Sequence, residues 1–301
     1  MVDSSNSQDP LIGTNIQRSN QQVLRLEQRN DDIENIEIKL LLEGVYLHYG
    51  FDFRHYAPAS IKRRIWHCVR EEKLNSISAL QERLLYNSAC MERFLLILSI
   101  NVTALFRDVG FYRVFREKIV PRLRTYPFIR IWHAGCSSGE EVYSLAILLQ
   151  EEGLYDRVRL YATDMNEVIL ARARDGIYPL EKMMAYEKNY RSAGGKKALT
   201  DYYTAQYGRA IFHGNLKKNI VWSQHNLVTD GSFNEFHVIL CRNVLIYFDQ
   251  SLQERVHKLL YNSLITFGML GLGQMESIRF SPCEANYGAI DSLEKWYSKI
   301  R

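Results

Sequence analysis

The segment Arg130–Glu141, RIWHAGCSSGEE, decides how the rest of the chain is read. Ile131 and Trp132 make a short apolar strand, Gly135 opens a turn through Cys136-Ser137-Ser138, and a helix starts at Gly139. Strand, glycine turn and helix in that order form the first unit of a nucleotide-binding α/β sheet, where small residues let backbone approach a ligand. A Gly-x-x-x-Gly turn alone says little; the two acids after it say more. Glu140 and Glu141 fall in the first helical turn, where anionic side chains suit the dipole but would repel a pyrophosphate. A dinucleotide or triphosphate is disfavoured, and a cationic or neutral ligand with hydroxyls is favoured. S-adenosylmethionine, with its sulfonium, ammonium and ribose, has that chemistry. An acid pair that only stabilises its own helix would read the same in isolation.

The chain of 301 residues is long enough for one large α/β domain and a smaller one. Its 47% hydrophobic and 24% charged residues are ordinary for a soluble globular protein. A net charge of +4 permits an acidic partner without requiring nucleic acid. Apolar runs such as Phe94–Leu98 are far too short for a membrane span. The start, MVDSSNSQDP, lacks the basic and apolar regions of a secretory signal. Five scattered cysteines without a C-x-x-C pair point to reduced thiols in a cytoplasmic protein. The eight histidines show no metal-ligand spacing, so no metal is expected.

Residues 1–34 are rich in Asn, Gln, Ser and Asp and read as a mobile polar tail with a helical segment near its end. Over residues 35–100 apolar residues recur at helical spacing. Ile38, Leu41, Leu42 and Val45 make one stripe; Ile61, Ile65, Cys68 and Val69 another; Leu80 and Leu84, then Phe94 and Leu98, two more. A domain of about four helices follows, with Gly50 ending the first and Pro58 starting the second. Between Phe53 and Arg70 stand five basic residues, Arg54, Lys62, Arg63, Arg64 and Arg70, and no acid. This is either a plain solvated face or a docking surface for an acidic protein helix, with Arg63, Arg64 and Arg70 as its contacts. Nucleic acid fits it poorly, because aromatic interleaving is sparse.

Residues 101–128 hold a linking segment and an amphipathic helix that Pro121 breaks or ends. From 129 to 301 strands alternate with helices, which implies a parallel, doubly wound sheet with its ligand loops on one rim. Strands are expected at 129–134, 158–163, 220–227, 238–241 and 269–274, with a closing strand near Leu293–Lys299. Residues 177–222 interrupt this rhythm and read as an inserted subdomain of two or three antiparallel strands.

Four stretches now carry a resemblance: HAGCSSGEEVYSLA, YATDMNEVILARARDGIYP, CRNVLIYFD and NVTALFRD. In this order and spacing they resemble the CheR family of chemotaxis receptor methyltransferases over about residues 36–300. The resemblance implies a Rossmann-like class I methyltransferase sheet with a small all-helical N-terminal domain and a small inserted antiparallel β-subdomain. It implies methyl transfer from S-adenosylmethionine to receptor glutamates, releasing S-adenosylhomocysteine. The implied partner is the cytoplasmic signalling domain of methyl-accepting chemotaxis receptors, met by a monomer without membrane insertion or nucleic acid. Asn101, Thr103 and Arg107 stand where the family's inter-domain segment closes over the cofactor. Glu141 and Asp164 match its cofactor-binding acids, with Ala134, Gly135 and Met165 beside them and Asp164 on the ribose hydroxyls. Asn226 and Leu227 match the adenine pair, and Cys241 and Arg242 begin the loop under the methionine part. Arg107 and Tyr247 match the residues proposed to position the methyl donor and the substrate carboxylate.

The chain departs from the family at three places. Phe236-His237-Val238 lacks an acid usual before the C-R-N strand, and Gly273-Gln-Met-Glu276 stands where Gly-His-Ser-Glu is common. The segment Tyr203–Phe212 holds only Gly208, so the glycine-bearing loop with which some members bind a receptor's C-terminal pentapeptide is trimmed, and no such tether is expected. Other readings stay open: a methyltransferase for a different substrate, or a catalytically silent scaffold that binds the adenosyl ligand. A nicotinamide oxidoreductase is disfavoured by Glu140-Glu141 and by the lack of G-x-G-x-x-G.

Overall fold

The computed structural model describes the backbone of residues 10–99 and 103–300, and side chains from Asn30 onward. The chain forms two compact units, residues 1–54 with 65–90 and residues 55–64 with 91–301. Four helices occupy the N-terminal part of the described residues: α1 Pro10–Tyr49, α2 Pro58–Glu71, α3 Ile77–Tyr86 and α4 Ser88–Leu98. In the first unit Ile38, Leu41, Leu42 and Val45 of α1 and Leu80 and Leu84 of α3 are buried, as their spacing requires. Ser76 caps α3 by accepting from the Ala79 amide. The N-terminal reading needs changing: residues 10–34 are not a tail but the first part of α1. After Gly13 nothing in this polar stretch breaks a helix, and Leu, Arg, Gln and Glu favour one.

The second unit opens its α/β part with a helix interrupted by Pro121: α5 Val109–Val114, a π-turn Phe115–Ile119, and α6 Val120–Leu123. Pro121 has no N–H to give, and the ladder adapts by widening instead of breaking, with the Val120 amide donating to the Phe115 carbonyl. There follow β1 Ile129–Ala134, α7 Glu140–Glu151, β2 Val158–Asp164 and α8 Glu167–Asp175. An inserted sheet is made of β3 Ile177–Pro179, β4 Tyr203–Gln206 and β5 Arg209–Phe212, with α9 Met183–Ser192 inside it. It is antiparallel, in the order β3-β5-β4. The chain then continues through α10 Gly214–Lys217, β6 Ile220–Gln224, β7 Phe236–Cys241, α11 Gln250–Asn262, β8 Leu264–Leu272, β9 Tyr287–Asp291 and β10 Trp296–Lys299.

The main sheet runs β6-β2-β1-β7-β8-β10-β9. The five strands from β6 to β8 are parallel, and β10 and β9 close the edge antiparallel. Strand β6 belongs to this sheet, paired with β2 from Leu160 opposite Ile220 onward, so the insertion ends before residue 220 and not at 222. The expected closing strand is a pair, β9 with β10. Helix α7 is apolar nearly all round, with Val142 to Leu149 buried, because it is covered on two sides. Its Tyr143 stacks on Phe212 of the insertion at 5.1 Å. All five cysteines are buried as free thiols. The parallel strands put the C-terminal ends of β1, β2, β6 and β7 on one rim, and the chain reverses direction of winding between β1 and β7.

Candidate active site

At that rim a cleft opens in two parts, both within the second unit. The wider part, about 610 Å³, has Gly135, Asp164, Met165, Asn226 and Leu227 in its wall. The narrower part, about 440 Å³, is bordered by Thr103, Arg107, Glu141 and Arg242. Ser137, Asn243 and Tyr247 line both parts, so the two are neighbours. Ala134 and Cys241, expected among the ligand residues, end β1 and β7 inside the apolar core beneath the cleft and do not line it. Asn101 lies outside the described residues.

The turn after β1 needs its glycines. Gly135 has φ +82°, and a Cβ there would meet Val244 at 2.6 Å; Gly139 has φ +91°, and a Cβ would meet Ala173 at 2.9 Å. Ser137, between them, is also left-handed at φ +51°. Its amide donates to Asp164 Oδ2 at 2.9 Å, while Oδ1 accepts from the Asn166 amide at 3.0 Å. The Asp164 carboxylate is thus fixed in orientation at the end of β2. Burial raises its pKa above the ordinary value, with the amides of Asn166, Ser137 and Met165 pulling the other way. The helix cap of α8 falls to Asn166, which accepts from Val168 and Ile169.

The two acids of the first segment separate in role. Glu140 turns inward, accepting from Ser138 Oγ at 2.6 Å and lying beside the Tyr186 hydroxyl. Glu141 borders the narrower part of the cleft. Its Oε1 pairs with His133 Nδ1 at 2.9 Å and its Oε2 with Arg242 Nη1 at 3.0 Å. Burial alone would raise the Glu141 carboxyl, but His133 and Arg242 outweigh it and hold the group below its ordinary value. Arg242 in turn reaches Asp108 Oδ2 at 2.7 Å and the Arg107 carbonyl at 3.1 Å, with its guanidinium 3.9 Å over the Phe111 ring. One buried cation therefore serves two anions, and with Arg107 on the same wall the charges about the narrower part balance, Glu141 and Asp108 against Arg242 and Arg107.

Both parts of the chain that match known proteins fit this geometry. Residues 36–98 match "CheR methyltransferase, all-alpha domain", and residues 101–288 match "CheR methyltransferase, SAM binding domain". The chain belongs to the CheR methyltransferase family. It is 49% identical over 254 residues to a Pseudomonas putida protein that bears the name methyltransferase Cher3, covering 84% of this chain and 92% of that one. It is 32% identical over 269 residues to the chemotaxis protein methyltransferase of Listeria innocua, covering 86% of this chain and 98% of that one. S-adenosylmethionine is accordingly its cofactor, and the cleft has what that ligand needs: the fixed Asp164 carboxylate in the wider part, the Glu141 carboxylate in the narrower part and close backbone at Gly135. Among the described residues no cluster of His, Cys, Asp or Glu could hold a metal, and no helix is long and apolar enough to cross a membrane.

In this CheR-family protein several lining residues escaped the sequence reading. Tyr56 enters the wider part because residues 55–57 run along residues 247–249. Ala57 N donates to the Tyr247 carbonyl at 2.8 Å, and Asp249 N donates to the His55 carbonyl at 2.9 Å. His225 and Ser99 also line it, and Tyr112 lines the narrower part. The basic segment of α2 divides: Arg63 and Arg70 are exposed, but Arg64 is 6% exposed and is no part of a solvent-facing docking surface. Its Nη1 donates to the Leu98 carbonyl and its guanidinium lies 4.8 Å over the Tyr247 ring. A run of charges gives no sign of this, since whether an arginine is buried depends on a distant partner.

Glu276 is the second residue whose weight the sequence hid. Buried behind the loop that follows β7, it accepts from four amides: Gly273 at 2.6 Å, Asn243 at 2.9 Å, Val244 at 2.8 Å and Leu245 at 2.7 Å. That loop carries Asn243, left-handed at φ +59°, and leads to Tyr247. Glu276→Gln puts an amide donor against amide donors, and should cost about 2–4 kcal/mol of stability. Urea unfolding checks this, and cofactor affinity should fall together with it; an unchanged midpoint would mean that the loop holds its shape without the carboxylate.

Proposed function

We propose that this protein methylates glutamate side chains in the cytoplasmic signalling domain of chemotaxis receptors, forming methyl esters and S-adenosylhomocysteine. The observation that carries this reading is that Arg107 and Tyr247 line the same cavity as Glu141 and Arg242. The names of the relatives supply the chemotaxis setting.

Bound S-adenosylmethionine supplies a methyl carbon activated by positive sulfur, with a neutral thioether as leaving group. Asp164 would hold the ribose hydroxyls, Asn226 and Leu227 the adenine, and Glu141 and Arg242 the methionine end, with Thr103 and Arg107 closing over it. A glutamate of pKa about 4.3 is already ionised at neutral pH, so the protein needs no general base. What remains for its residues is alignment and exclusion of water, which can contribute about 7–11 kcal/mol. Arg107 offers a guanidinium fork to the incoming carboxylate. Its grip must stay loose, because a tight bidentate pair would restrain the attacking oxygen. Burial holds the Tyr247 phenol above its ordinary pKa, against the pull of Arg64 and Arg107, so it stays a neutral donor. Arg64, stacked over the ring, fixes the direction in which that hydroxyl points.

The reading extends to how substrate is held. Strands β4 and β5 join through Tyr207-Gly208 alone, both left-handed, a two-residue hairpin without a longer loop. This supports methylation that does not rely on a receptor pentapeptide. Calorimetry with such peptides should detect no micromolar binding, and binding of that strength would remove this part of the proposal.

The central test is transfer of labelled methyl groups to purified receptor cytoplasmic domains, with base-labile incorporation marking a carboxyl ester. Arg107→Ala should lower kcat by about 100-fold or more, and Tyr247→Phe by about 5–10-fold with little change in cofactor affinity. If both variants turn over normally, these residues have no part in alignment. Acid sensitivity gives an independent check. The raised Asp164 takes up its proton sooner on acidification than an ordinary aspartate does, and only the ionised form accepts two ribose hydroxyls. Cofactor affinity should therefore be flat near neutrality and fall by about tenfold per pH unit below the Asp164 pKa. Asp164→Asn should bind about 10–100-fold more weakly at neutral pH and lack that acid limb.

A further inference from the structure

The turn that carries Tyr247 is gripped from two sides, and one of the two residues that grip it lies outside the cleft. Leu245–Tyr247 is a single 3-10 turn between β7 and α11. Glu276 takes the amides of Asn243, Val244 and Leu245 at its start. Gln253, near the start of α11, reaches back to the carbonyl side. Its Nε2 donates to the Leu245 carbonyl and to the Phe248 carbonyl, both at 3.0 Å. Both neighbours are acceptors, so the nitrogen of the side-chain amide faces them and not its oxygen, and its two N–H groups can serve both at once. The two carbonyls stand on either side of Tyr247 in the chain, so one amide group spans the turn. The side chain starts from a firm base, because Leu252, Val256 and Leu260 of α11 are buried and Gln253 N donates to the Asp249 carbonyl at 2.9 Å. Gln253 does not line either part of the cleft. It lines a separate cavity of about 840 Å³ with His257 and Arg279, which has no lining residue in common with the cleft.

We propose that Gln253 is a positioning residue for methyl transfer, which sets where the Tyr247 hydroxyl stands; this rests on the part in alignment proposed for Tyr247. The plain alternative is a glutamine that only helps to start its own helix. That work is already done by Asp249, the N-cap of α11, whose Oδ1 accepts from the Leu252 amide at 2.9 Å. Gln253 spends its donors on the turn instead. The other holds on Tyr247 act elsewhere: its carbonyl accepts from the Ala57 amide at 2.8 Å, and Arg64 lies over its ring. The chemistry at 253 is specific. A carboxylate there would set lone pairs against carbonyl lone pairs, and an apolar side chain would take a donor from each carbonyl. Misplacing a group by about 1 Å can cost about 100-fold in rate. Here the loss should stay within what removal of the hydroxyl itself costs, since Gln253 acts only through that group.

The test is a double-mutant cycle in the full chain, with receptor cytoplasmic domains as substrate. Gln253→Met keeps the length of the side chain and removes both donors. It should lower kcat by about 3–10-fold and leave cofactor affinity within about twofold. On a Tyr247→Phe background the same change should lower kcat by less than about twofold, because the hydroxyl that it positions is already gone. An equal loss on both backgrounds is what a merely structural glutamine gives, and it overturns the proposal. An unchanged kcat, or a loss confined to cofactor affinity, overturns it too. Gln253→Asn, too short to span both carbonyls, should show the same pattern and takes over if the methionine variant does not fold. A second readout needs no turnover: a fluorotyrosine placed at 247 should show one fluorine resonance that shifts or broadens in Gln253→Met, and an unchanged resonance overturns the proposal. If the unaltered protein esterifies no receptor domain, the proposed function fails, and the fluorine signal still decides whether Gln253 holds Tyr247.

Discussion

The buried guanidinium of Arg242 ties together the pieces of chain that border the narrower part of the cleft. It comes from the end of β7 and meets Glu141 in the first turn of α7 and Asp108 just before α5. Desolvating such a cation is expensive, and removing one partner of a buried pair typically costs about 3–5 kcal/mol. The arrangement is acceptable because both anions, the Arg107 carbonyl and the face of Phe111 surround it. Stability alone would be served as well by apolar residues. The cluster instead keeps three segments in one geometry and sets the Glu141 carboxylate on the wall of the cleft.

Around this cluster the backbone is held in conformations that few residues choose. Phe106, Asp108, Ser137 and Asn243 are all left-handed without being glycine. Each such residue carries strain on the order of 1 kcal/mol or more. Three are held at the amide, Phe106 N by Ser144 Oγ, Ser137 N by Asp164 and Asn243 N by Glu276, and Asp108 is held at its side chain by Arg242. Acid side chains accepting backbone amides recur here as the means of stabilising loops that regular secondary structure does not reach.

Much of this was legible in the chain. RIWHAGCSSGEE gives strand, turn and helix without ambiguity, because apolar alternation, two glycines and an acid pair all point the same way. Asp164 announces itself as an acid closing a strand. What failed to show depends on contacts between distant residues. Tyr56 reaches the cleft because residues 55–57 lie along 247–249, a meeting that no local pattern encodes. Arg64 looks like its neighbours Lys62 and Arg63 and is told apart only by the carbonyl of Leu98 and the ring of Tyr247. Strand β6 fell within both the expected insertion, about 177–222, and the expected strand 220–227, and its pairing with β2 decides the matter. Glu276 stood in the sequence as the one acid kept beside two departures from the family, Gln274 and Met275, and not as the anchor of four amides.

The burial of the five cysteines has a practical side. Burial pushes the Cys136, Cys241 and Cys283 thiols up in pKa, so they are poorly ionised as well as shielded. A modifying reagent can reach them only when the surrounding structure opens, and its rate then reads the frequency of opening. Cys68 and Cys90 sit in the first unit and the other three in the second. The native chain thus carries its own reporters of breathing, one set for each unit, with no label to be engineered.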